Sequence, residues 1–307
     1  MRRVLITGCT GFVGDTYTRD MVGNDKGIYR FYSDRETEYL LPGRMEMDLL
    51  NMHSVRNYFS QHKPNIVVHL AAKCGGLFDN IQYPANFWYE NTLMSTIILQ
   101  ESLLSGVKHF VGCLSSCVYP DKVGEGYYPM QTKDIFRGSV SEANLGYGFG
   151  KRALLEGMMS YQKQYPHMTF HGLIPCNLFG VGDKSTHFIP SFIKRLKAGE
   201  KDIELNGTGN ELRQFMDVDD FCCIIFDYLK KIDEIPGEGL RLFNVAPDRP
   251  QTSIKELANL IASKFGATVK FNYMKNSQFR KDIDGSEILK IIPHKFNTIE
   301  ETISCLL

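Results

Sequence analysis

Tyr147 and Lys151 are four residues apart in the run Tyr147-Gly-Phe-Gly-Lys151. On a helix this spacing places both side chains on one face. A free phenol has a pKa of about 10 and is a weak acid or base at neutral pH. Because a neighbouring ammonium stabilises the phenolate, the spacing predicts a tyrosine whose pKa is lowered toward the working range of an acid–base catalyst.

A second group of polar residues lies about thirty positions upstream. Ser115 and Ser116 end an apolar run at 110–114, and Cys117 follows them directly. In parallel α/β sheets, side chains at the carboxyl end of a strand face the active site. The run Ser115-Ser116-Cys117 therefore lies where active-site side chains are expected.

A glycine-rich turn opens the chain, in Gly8-Cys-Thr-Gly11-Phe-Val-Gly14. It follows a predicted strand and opens a predicted helix, which is the context of a dinucleotide-binding turn. The expected cofactor contacts in this segment are Gly8, Thr10, Gly11, Phe12, Val13 and Gly14.

Cofactor choice is expected just after the second predicted strand. Arg35 suits the 2′-phosphate of NADP, whereas Asp34 suits the free ribose hydroxyl of NAD, and we favour NADP. Asp48 and Leu49 are expected near the adenine. Further cofactor contacts are expected at the end of the next strand, from Leu70, Ala71 and Ala72.

Short apolar runs alternate with longer helical patterns through the first half of the chain. Strands are predicted at 4–7, 28–33, 66–70, 108–114 and 169–174, with long helices at 85–104 and 145–164. This alternation is typical of an α/β fold with a Rossmann-type, doubly wound parallel sheet. After Pro175 the segments are shorter and more highly charged, which indicates a smaller mixed α/β substrate lobe.

We therefore expect two lobes that the chain enters more than once. Residues 1–175 plus about 214–246 form the predicted dinucleotide-binding domain. Residues from about 176–213 plus 247–307 form the predicted nucleotide-sugar-binding lobe. Segments 214–228 and 242–245 are expected to return to the large sheet.

Composition narrows the function. Of 307 residues, 43% are hydrophobic, enough for a large core, and Lys+Arg equals Asp+Glu at 35 each, which disfavours nucleic acid as a partner. No apolar run approaches the ~20 residues of a membrane span, and no signal peptide is evident. The eight cysteines lack CxxC spacing, which favours a reducing, cytoplasmic setting and argues against a metal site.

Several segments together resemble a known family. They are His69-Leu-Ala-Ala-Lys-Cys-Gly-Gly-Leu-Phe-Asp-Asn80, Leu114-Ser-Ser-Cys-Val-Tyr-Pro120, Ile174-Pro-Cys-Asn-Leu-Phe-Gly180, His187-Phe-Ile-Pro190 and Asn206-Gly-Thr-Gly-Asn-Glu-Leu-Arg-Gln-Phe215. They are similar to the motifs of the GDP-L-fucose synthase family, in the extended short-chain dehydrogenase/reductase superfamily. Leu205 departs from the pattern, since it replaces a tryptophan of that family.

The resemblance implies a bifunctional NADPH-dependent 3,5-epimerase and 4-reductase acting on GDP-4-keto-6-deoxy-mannose. Cys117 would remove protons beside the ketone and His187 would return them from the opposite face. Ser115, Tyr147 and Lys151 would serve the reduction. The substrate contacts that it implies are Ser116, Asn144, Asn177, Arg195, Arg213 and Lys281.

Two other functions stay open at this point. One is a C4 reductase of another GDP-4-keto sugar, such as a heptose, with or without partial epimerisation. The other is a non-catalytic nucleotide-binding regulatory subunit, which the intact Ser115, Tyr147 and Lys151 set disfavours.

The two long helices are expected to pair across a two-fold axis into a four-helix interface, which makes the chain a homodimer.

Overall fold

The computed structural model describes residues 1–21, 31–33, 37–273 and 279–307. The strands are β1 (Arg2–Thr7), β2 (Phe31–Ser33), β3 (Thr37–Leu40), β4 (Ile66–His69), β5 (His109–Cys113), β6 (Thr169–Pro175), β7 (Asn177–Phe179), β8 (Asp202–Leu205), β9 (Leu212–Arg213), β10 (Phe215–Asp217), β11 (Arg241–Val245), β12 (Thr252–Ser253), β13 (Thr268–Phe271) and β14 (Arg280–Lys281).

The helices are α1 (Phe12–Thr16), α2 (Met52–His62), α3 (Leu77–Gln82), α4 (Pro84–Leu104), α5 (Leu145–Gln164), α6 (Phe188–Lys197), α7 (Val218–Lys230), α8 (Ile254–Ser263), α9 (Ser286–Ile291) and α10 (Ile299–Leu306). A π-helical turn at Tyr17–Met21 continues α1. No helix in the described ranges is long and apolar enough to cross a membrane.

Seven strands form one twisted sheet in the order β11-β6-β5-β4-β1-β3-β2. Every neighbouring pair is parallel except β2 with β3. The β4 strand is buried along its whole length, as expected for a parallel sheet covered by helices on both faces. The predicted fold class is confirmed. Strand order reverses between β1 and β4, which is where such sheets bind ligands.

The position of the second parallel strand corrects a prediction. The sequence favoured 28–33, but the strand that pairs in parallel with β1 is β3, with Arg2 opposite Thr37 and Leu5 opposite Leu40. The β2 strand runs antiparallel to β3 at the edge of the sheet. Its carboxyl end therefore lies at the edge opposite the glycine turn. Residues 28–30, Asp34 and Arg35 lie outside the described residues.

The segment 214–228 also differs from expectation. Its strand β10 pairs with β7 in a separate two-stranded sheet, so it does not join the large sheet. The reason lies in packing, because Phe215 of β10 is buried in a second hydrophobic cluster with Phe179 and Phe192. Helix α7 nevertheless packs on the main core, and β11 joins the large sheet beside β6.

Two hydrophobic clusters account for the packing of the described residues. The larger one surrounds the seven-stranded sheet, and the smaller one is built from α6, α8, α10 and nearby strands. Segment 283–292 contributes Ile283, Ile288 and Ile292 to the larger cluster. We infer two lobes along these clusters, with the chain crossing between them several times.

Candidate active site

The glycine turn after β1 can be built only from glycine at two positions. Gly8 has a φ of +72°, and a Cβ on it would lie 2.7 Å from the backbone of Ala71. A Cβ on Gly14 would lie 2.1 Å from the carbonyl oxygen of Gly8. Thr10 and Gly11 remain exposed at the tip, while Phe12 and Val13 pack against the core. The turn therefore forms an open backbone cradle at the switch point, which fits the diphosphate of a dinucleotide.

A buried polar link fixes the end of β4 against β1. The Thr7 hydroxyl lies 2.8 Å from Nδ1 of His69, and Thr7 also accepts the backbone N–H of Ala71 at 3.3 Å. Burial, aided by the charge of Lys151, lowers the pKa of His69 to about 3. His69 is therefore neutral at physiological pH, and its role is to hold the segment that carries Leu70, Ala71 and Ala72.

Arg44 is a candidate residue that the sequence reasoning missed. It follows β3 within four residues, and Cys9 of the glycine turn donates to the Pro42 carbonyl at 3.2 Å. The residue after the second parallel strand is the one that reads the ribose 2′ position. The exposed Arg44 guanidinium lies 3.8 Å from Asp48, in the segment that follows the second parallel strand. The sequence feature that could have indicated Arg44 is the apolar run 39–41, which is ended by Pro42-Gly43.

Asp48 and Leu49 lie in the same region. An Asp48 carboxylate oxygen accepts the backbone N–H of Leu50 at 3.1 Å, which fixes the orientation of the side chain. Leu49 is half-buried against the main core. Both residues follow β3 in the segment that also carries Arg44, and their contact with the adenine stays a prediction.

A short helical turn after β5 presents Cys117. The Ser115 hydroxyl accepts the backbone N–H of Cys117 at 3.2 Å, and Ser116 is buried beneath them. Nζ of Lys281 donates to Sγ of Cys117 at 3.1 Å. Burial opposes ionisation of the thiol, but Lys281, the Ser115 hydroxyl and Arg213 outweigh it, so the pKa of Cys117 lies below its ordinary value.

Helix α5 places Tyr147 and Lys151 on one face, as the spacing predicted. The predicted lowering of the tyrosine pKa is wrong. Lys151 donates to the Cys113 carbonyl at 2.7 Å, and its Nζ lies 6.0 Å from the Tyr147 ring centroid. Burial, together with the nearby thiols Cys74 and Cys117, raises the pKa of Tyr147 well above its usual range. Tyr147 is thus protonated at neutral pH, which is the form that donates a proton.

His187 reaches the site from the other lobe. It directly precedes α6, and its Nε2 lies 3.2 Å from the carbonyl oxygen of Gly75. The backbone N–H of Gly76 donates to the Thr186 hydroxyl at 2.7 Å. A Cβ on Gly76 would lie 2.3 Å from the Thr186 carbonyl oxygen, so this close docking requires glycine. The adjacent Cys74 thiol donates to the Tyr147 hydroxyl at 3.6 Å, so the segment that contacts His187 also contacts Tyr147.

The strand pair β9–β14 brings two cations together. Lys281 is in register with Arg213, and the Arg213 guanidinium donates to the carbonyl of Leu212 at 2.7 Å. Through Lys281 these residues join the Cys117 turn.

Among the remaining predicted substrate contacts, Asn177 and Arg195 are hydrogen-bonded to other residues of the described structure. Nδ2 of Asn177 donates to the Gln214 carbonyl at 2.9 Å, and Asn144 is the residue before the first turn of α5. Arg195 is paired with Glu200 at 2.8 Å. In the ranges that the structure covers, no group of three or more His, Cys, Asp or Glu side chains could hold a metal ion.

Comparison with known proteins adds the family. A model of the NAD dependent epimerase/dehydratase family matches residues 4–246. The chain belongs to this family. Within the epimerase/dehydratase family, it is 30% identical to a GDP-L-fucose synthase of Azorhizobium caulinodans, over 89% of this chain and 83% of the relative.

Two solved structures share the fold of this family member. A GDP-L-fucose synthetase from Naegleria fowleri bound to NADP has a TM-score of 0.83 and 24% identity, over 99% of this chain and 91% of that one. A GDP-mannoheptose C4 reductase from Campylobacter jejuni with NADP bound has a TM-score of 0.81 and 23% identity, over 99% and 96%. Both comparisons show that the chain shares its fold with these two proteins.

Proposed function

We propose that this chain is an NADPH-dependent GDP-4-keto-6-deoxy-mannose 3,5-epimerase/4-reductase that forms GDP-L-fucose. The observation that carries the proposal is the Cys117–Lys281 contact of 3.1 Å, made by a thiol that is close enough to Tyr147 to affect its ionisation. A simple ketone reductase needs the Ser115, Tyr147 and Lys151 set alone. An ion-paired thiol beside that set supplies what epimerisation requires in addition, a base for carbon-bound protons.

Epimerisation needs two groups on opposite faces of the sugar. The 4-keto group acidifies the protons on C3 and C5. Cys117, as thiolate, accepts such a proton and becomes a thiol, and the negative charge moves onto the ketone oxygen. His187 then donates a proton to the same carbon from the other face, which inverts the centre. The Gly75 carbonyl, 3.2 Å from Nε2 of His187, orients the ring for this transfer.

Reduction uses the other half of the site. NADPH, when bound, supplies the hydride for C4. The glycine turn would hold its diphosphate, and Lys151 would bind the ribose beside the nicotinamide. Tyr147, which is protonated at neutral pH, donates its proton to the C4 oxygen. The Ser115 hydroxyl, which also stabilises the Cys117 thiolate, would have to redirect its O–H to that oxygen when the ketone binds.

The sugar nucleotide would lie between the lobes. Arg213 and Lys281 form a doubly cationic edge suited to a diphosphate. Ser116, Asn144 and Asn177 remain proposed contacts near the sugar. Arg195 could join them only by leaving its pair with Glu200, a change that substrate binding would have to offset.

Cofactor choice is proposed to rest on Arg44. Arg44→Ala is expected to weaken NADPH binding by about 1.5–3 kcal/mol, the size of a charge-assisted contact, and to leave NADH binding nearly unchanged. Titration calorimetry with both cofactors measures this. Arg35→Ala is the matched control, and a selective loss of NADPH binding in that variant, or equal losses of both cofactors in Arg44→Ala, would contradict the assignment.

A C4 reductase of another GDP-4-keto sugar is the second candidate. It is favoured by the mannoheptose C4 reductase, which aligns over 99% of this chain. The two candidates separate in a substrate panel that follows NADPH oxidation with each ketone. We expect kcat/KM for GDP-4-keto-6-deoxy-mannose to exceed that for a GDP-4-keto heptose by roughly tenfold or more. The reverse order supports the heptose reductase, and no oxidation with any ketone supports a non-catalytic subunit.

We also propose a cytoplasmic homodimer. The eight free thiols of the chain, of which Cys305 is exposed, fit a reducing compartment. Helices α4 and α5 pack together and expose an apolar face where Trp88 is 51% and Phe149 is 40% accessible. These two residues border an apolar groove of about 220 Å³. A two-fold partner would cover this face with the same two helices.

Phe149→Asp is expected to convert the dimer to a monomer at micromolar concentration, because it would bury an unpaired charge. Analytical ultracentrifugation measures the assembly. Trp88 is the single tryptophan, so its emission should shift to the red in the same variant. Met45→Asp, at a position 98% exposed on another surface, is the control. A monomeric wild type, or a dimeric Phe149→Asp variant, would rule out this interface.

A further inference from the structure

Lys281 contacts Cys117 from a distant part of the chain. The two residues are 164 positions apart, yet Nζ and Sγ are 3.1 Å from each other. Lys281 is half-buried and belongs to β14, whose neighbour Arg280 pairs with Asp282 at 2.8 Å. The carboxylate next to Lys281 in the chain is therefore engaged by Arg280, and the ammonium is directed at the thiol.

The segment that carries Lys281 is firmly attached to the larger lobe. The backbone N–H of Met130 donates to the Asp282 carbonyl at 3.0 Å, and Asp284 returns a bond to Met130 at 2.9 Å. Gln214 donates to the Ile283 carbonyl and accepts its N–H at 3.3 and 3.2 Å. A lysine at a flexible surface site would average over many positions, but this one is held at a fixed distance from Cys117.

Besides the Ser115 hydroxyl, four titratable or charged groups on other elements act on the Cys117 thiol. Lys281 and Arg213 carry positive charge beside it. Tyr147 of α5 and Cys74, after β4, are also close enough to interact with it. Burial raises the pKa of both, so they are uncharged at neutral pH. The charge that the thiol meets is therefore positive.

We propose that Lys281 is the positioning residue that holds Cys117 as a thiolate, and so sets the pH range in which the site can remove carbon-bound protons. This deepens the proposed function and rests on it. In each inversion the C–H bond breaks, its proton goes to sulfur, and the electron pair enters the ketone as an enolate. The new C–H bond takes its proton from His187. Before the second carbon can react, the thiol must release its proton to solvent and His187 must take one up from solvent. The Lys281 charge favours the release from sulfur.

The alternative is that Lys281 only binds the substrate diphosphate. In that case its loss raises KM and leaves the titration of Cys117 unchanged. The two roles separate in a measurement that needs no sugar, which is the pH dependence of Cys117 alkylation by iodoacetamide, read at the Cys117 peptide by mass spectrometry. Wild type should show an inflection below the ordinary thiol value of about 8.5.

Lys281→Met is expected to move that inflection upward by about one to three pH units, the shift produced by losing an adjacent opposite charge. Lys281→Arg should keep it low, because the cation is retained. Lys290→Met, an exposed lysine paired with Glu287 on α9, is the matched control and should titrate as wild type. Thermal melting and NADPH binding establish that each variant is folded.

Solvent deuterium exchange completes the test. Lys281→Met should lose exchange at C3 and C5 at pH 6.5 by tenfold or more and regain it near pH 9, where the thiol ionises unaided. An ordinary inflection in wild type, an unmoved inflection in Lys281→Met, or lost exchange that high pH does not restore would overturn the proposal. A low inflection without any exchange in wild type would leave the ion pair standing and refute the epimerase function instead.

Discussion

Tyr147→Phe is expected to lower the rate of ketone reduction by about 10²–10⁴-fold, the usual contribution of a general acid. The ring and its packing survive, and only the proton that the C4 oxygen needs is lost. NADPH affinity should stay near the wild-type value, because the glycine turn and Lys151 are intact. Stopped-flow oxidation of NADPH in the presence of the epimerised ketone measures the step.

Tyr161→Phe is the matched control for that variant. It makes the same change on the same helix, at a hydroxyl that donates to Gln100 at 2.5 Å. It should reduce the ketone at the wild-type rate. Wild-type turnover by Tyr147→Phe would mean that another group protonates the C4 oxygen.

Cys117→Ser is expected to slow proton removal at C3 and C5 by about 10²–10⁴-fold while reduction of the ketone continues. Serine is nearly the same size, but a hydroxyl is far less acidic than a thiol, and Lys281 cannot ionise it near neutral pH. The product should therefore be a sugar that is reduced at C4 but not inverted. Deuterium incorporation, followed by NMR, reports the exchange directly.

Cys113→Ser serves as the control for the thiol. Cys113 lies four residues earlier on β5, and burial raises its pKa to about 11, so it cannot act as a base at neutral pH. Its carbonyl still accepts from Lys151 after substitution. If Cys117→Ser exchanges both protons at the native rate, Cys117 has a structural role only.

Features set by local patterns were predictable from the sequence. Helix α5 begins and ends at the predicted residues, and α4 differs by one residue at its start. Both are long and carry a clear helical pattern, so local preference and burial agree. The glycine turn was equally predictable, because the backbone approaches so closely at Gly8 and Gly14 that no residue with a Cβ fits there.

Features that depend on which strands pair with each other were not predictable from the sequence. The chain has two short apolar stretches near its second strand position, and either could pair with β1. The pairing of β1 with β3 makes Arg44, and not Arg35, the residue that follows the parallel strand. Register along a sheet is a long-range property, and no local preference of three- or four-residue strands determines it.

Electrostatics of the site also depended on long-range packing. Spacing on α5 correctly placed Lys151 near Tyr147, but it could not reveal that the Cys113 carbonyl takes the ammonium hydrogen. Nor could it reveal the Cys117–Lys281 pair, since β14 is two residues long and is held at the site by long-range contacts with β9, Met130 and Gln214. The residue types of the site could be predicted from the sequence, but the residues that they contact could not.

The proposed function requires one site both to epimerise and to reduce the 4-keto sugar. Its most direct test is incubation of the wild-type protein with NADPH and GDP-4-keto-6-deoxy-mannose in D₂O, followed by NMR of the product. We predict GDP-L-fucose carrying solvent deuterium at both C3 and C5, with hydrogen from the cofactor at C4. A product reduced at C4 without deuterium at either carbon would show a simple reductase and contradict the account.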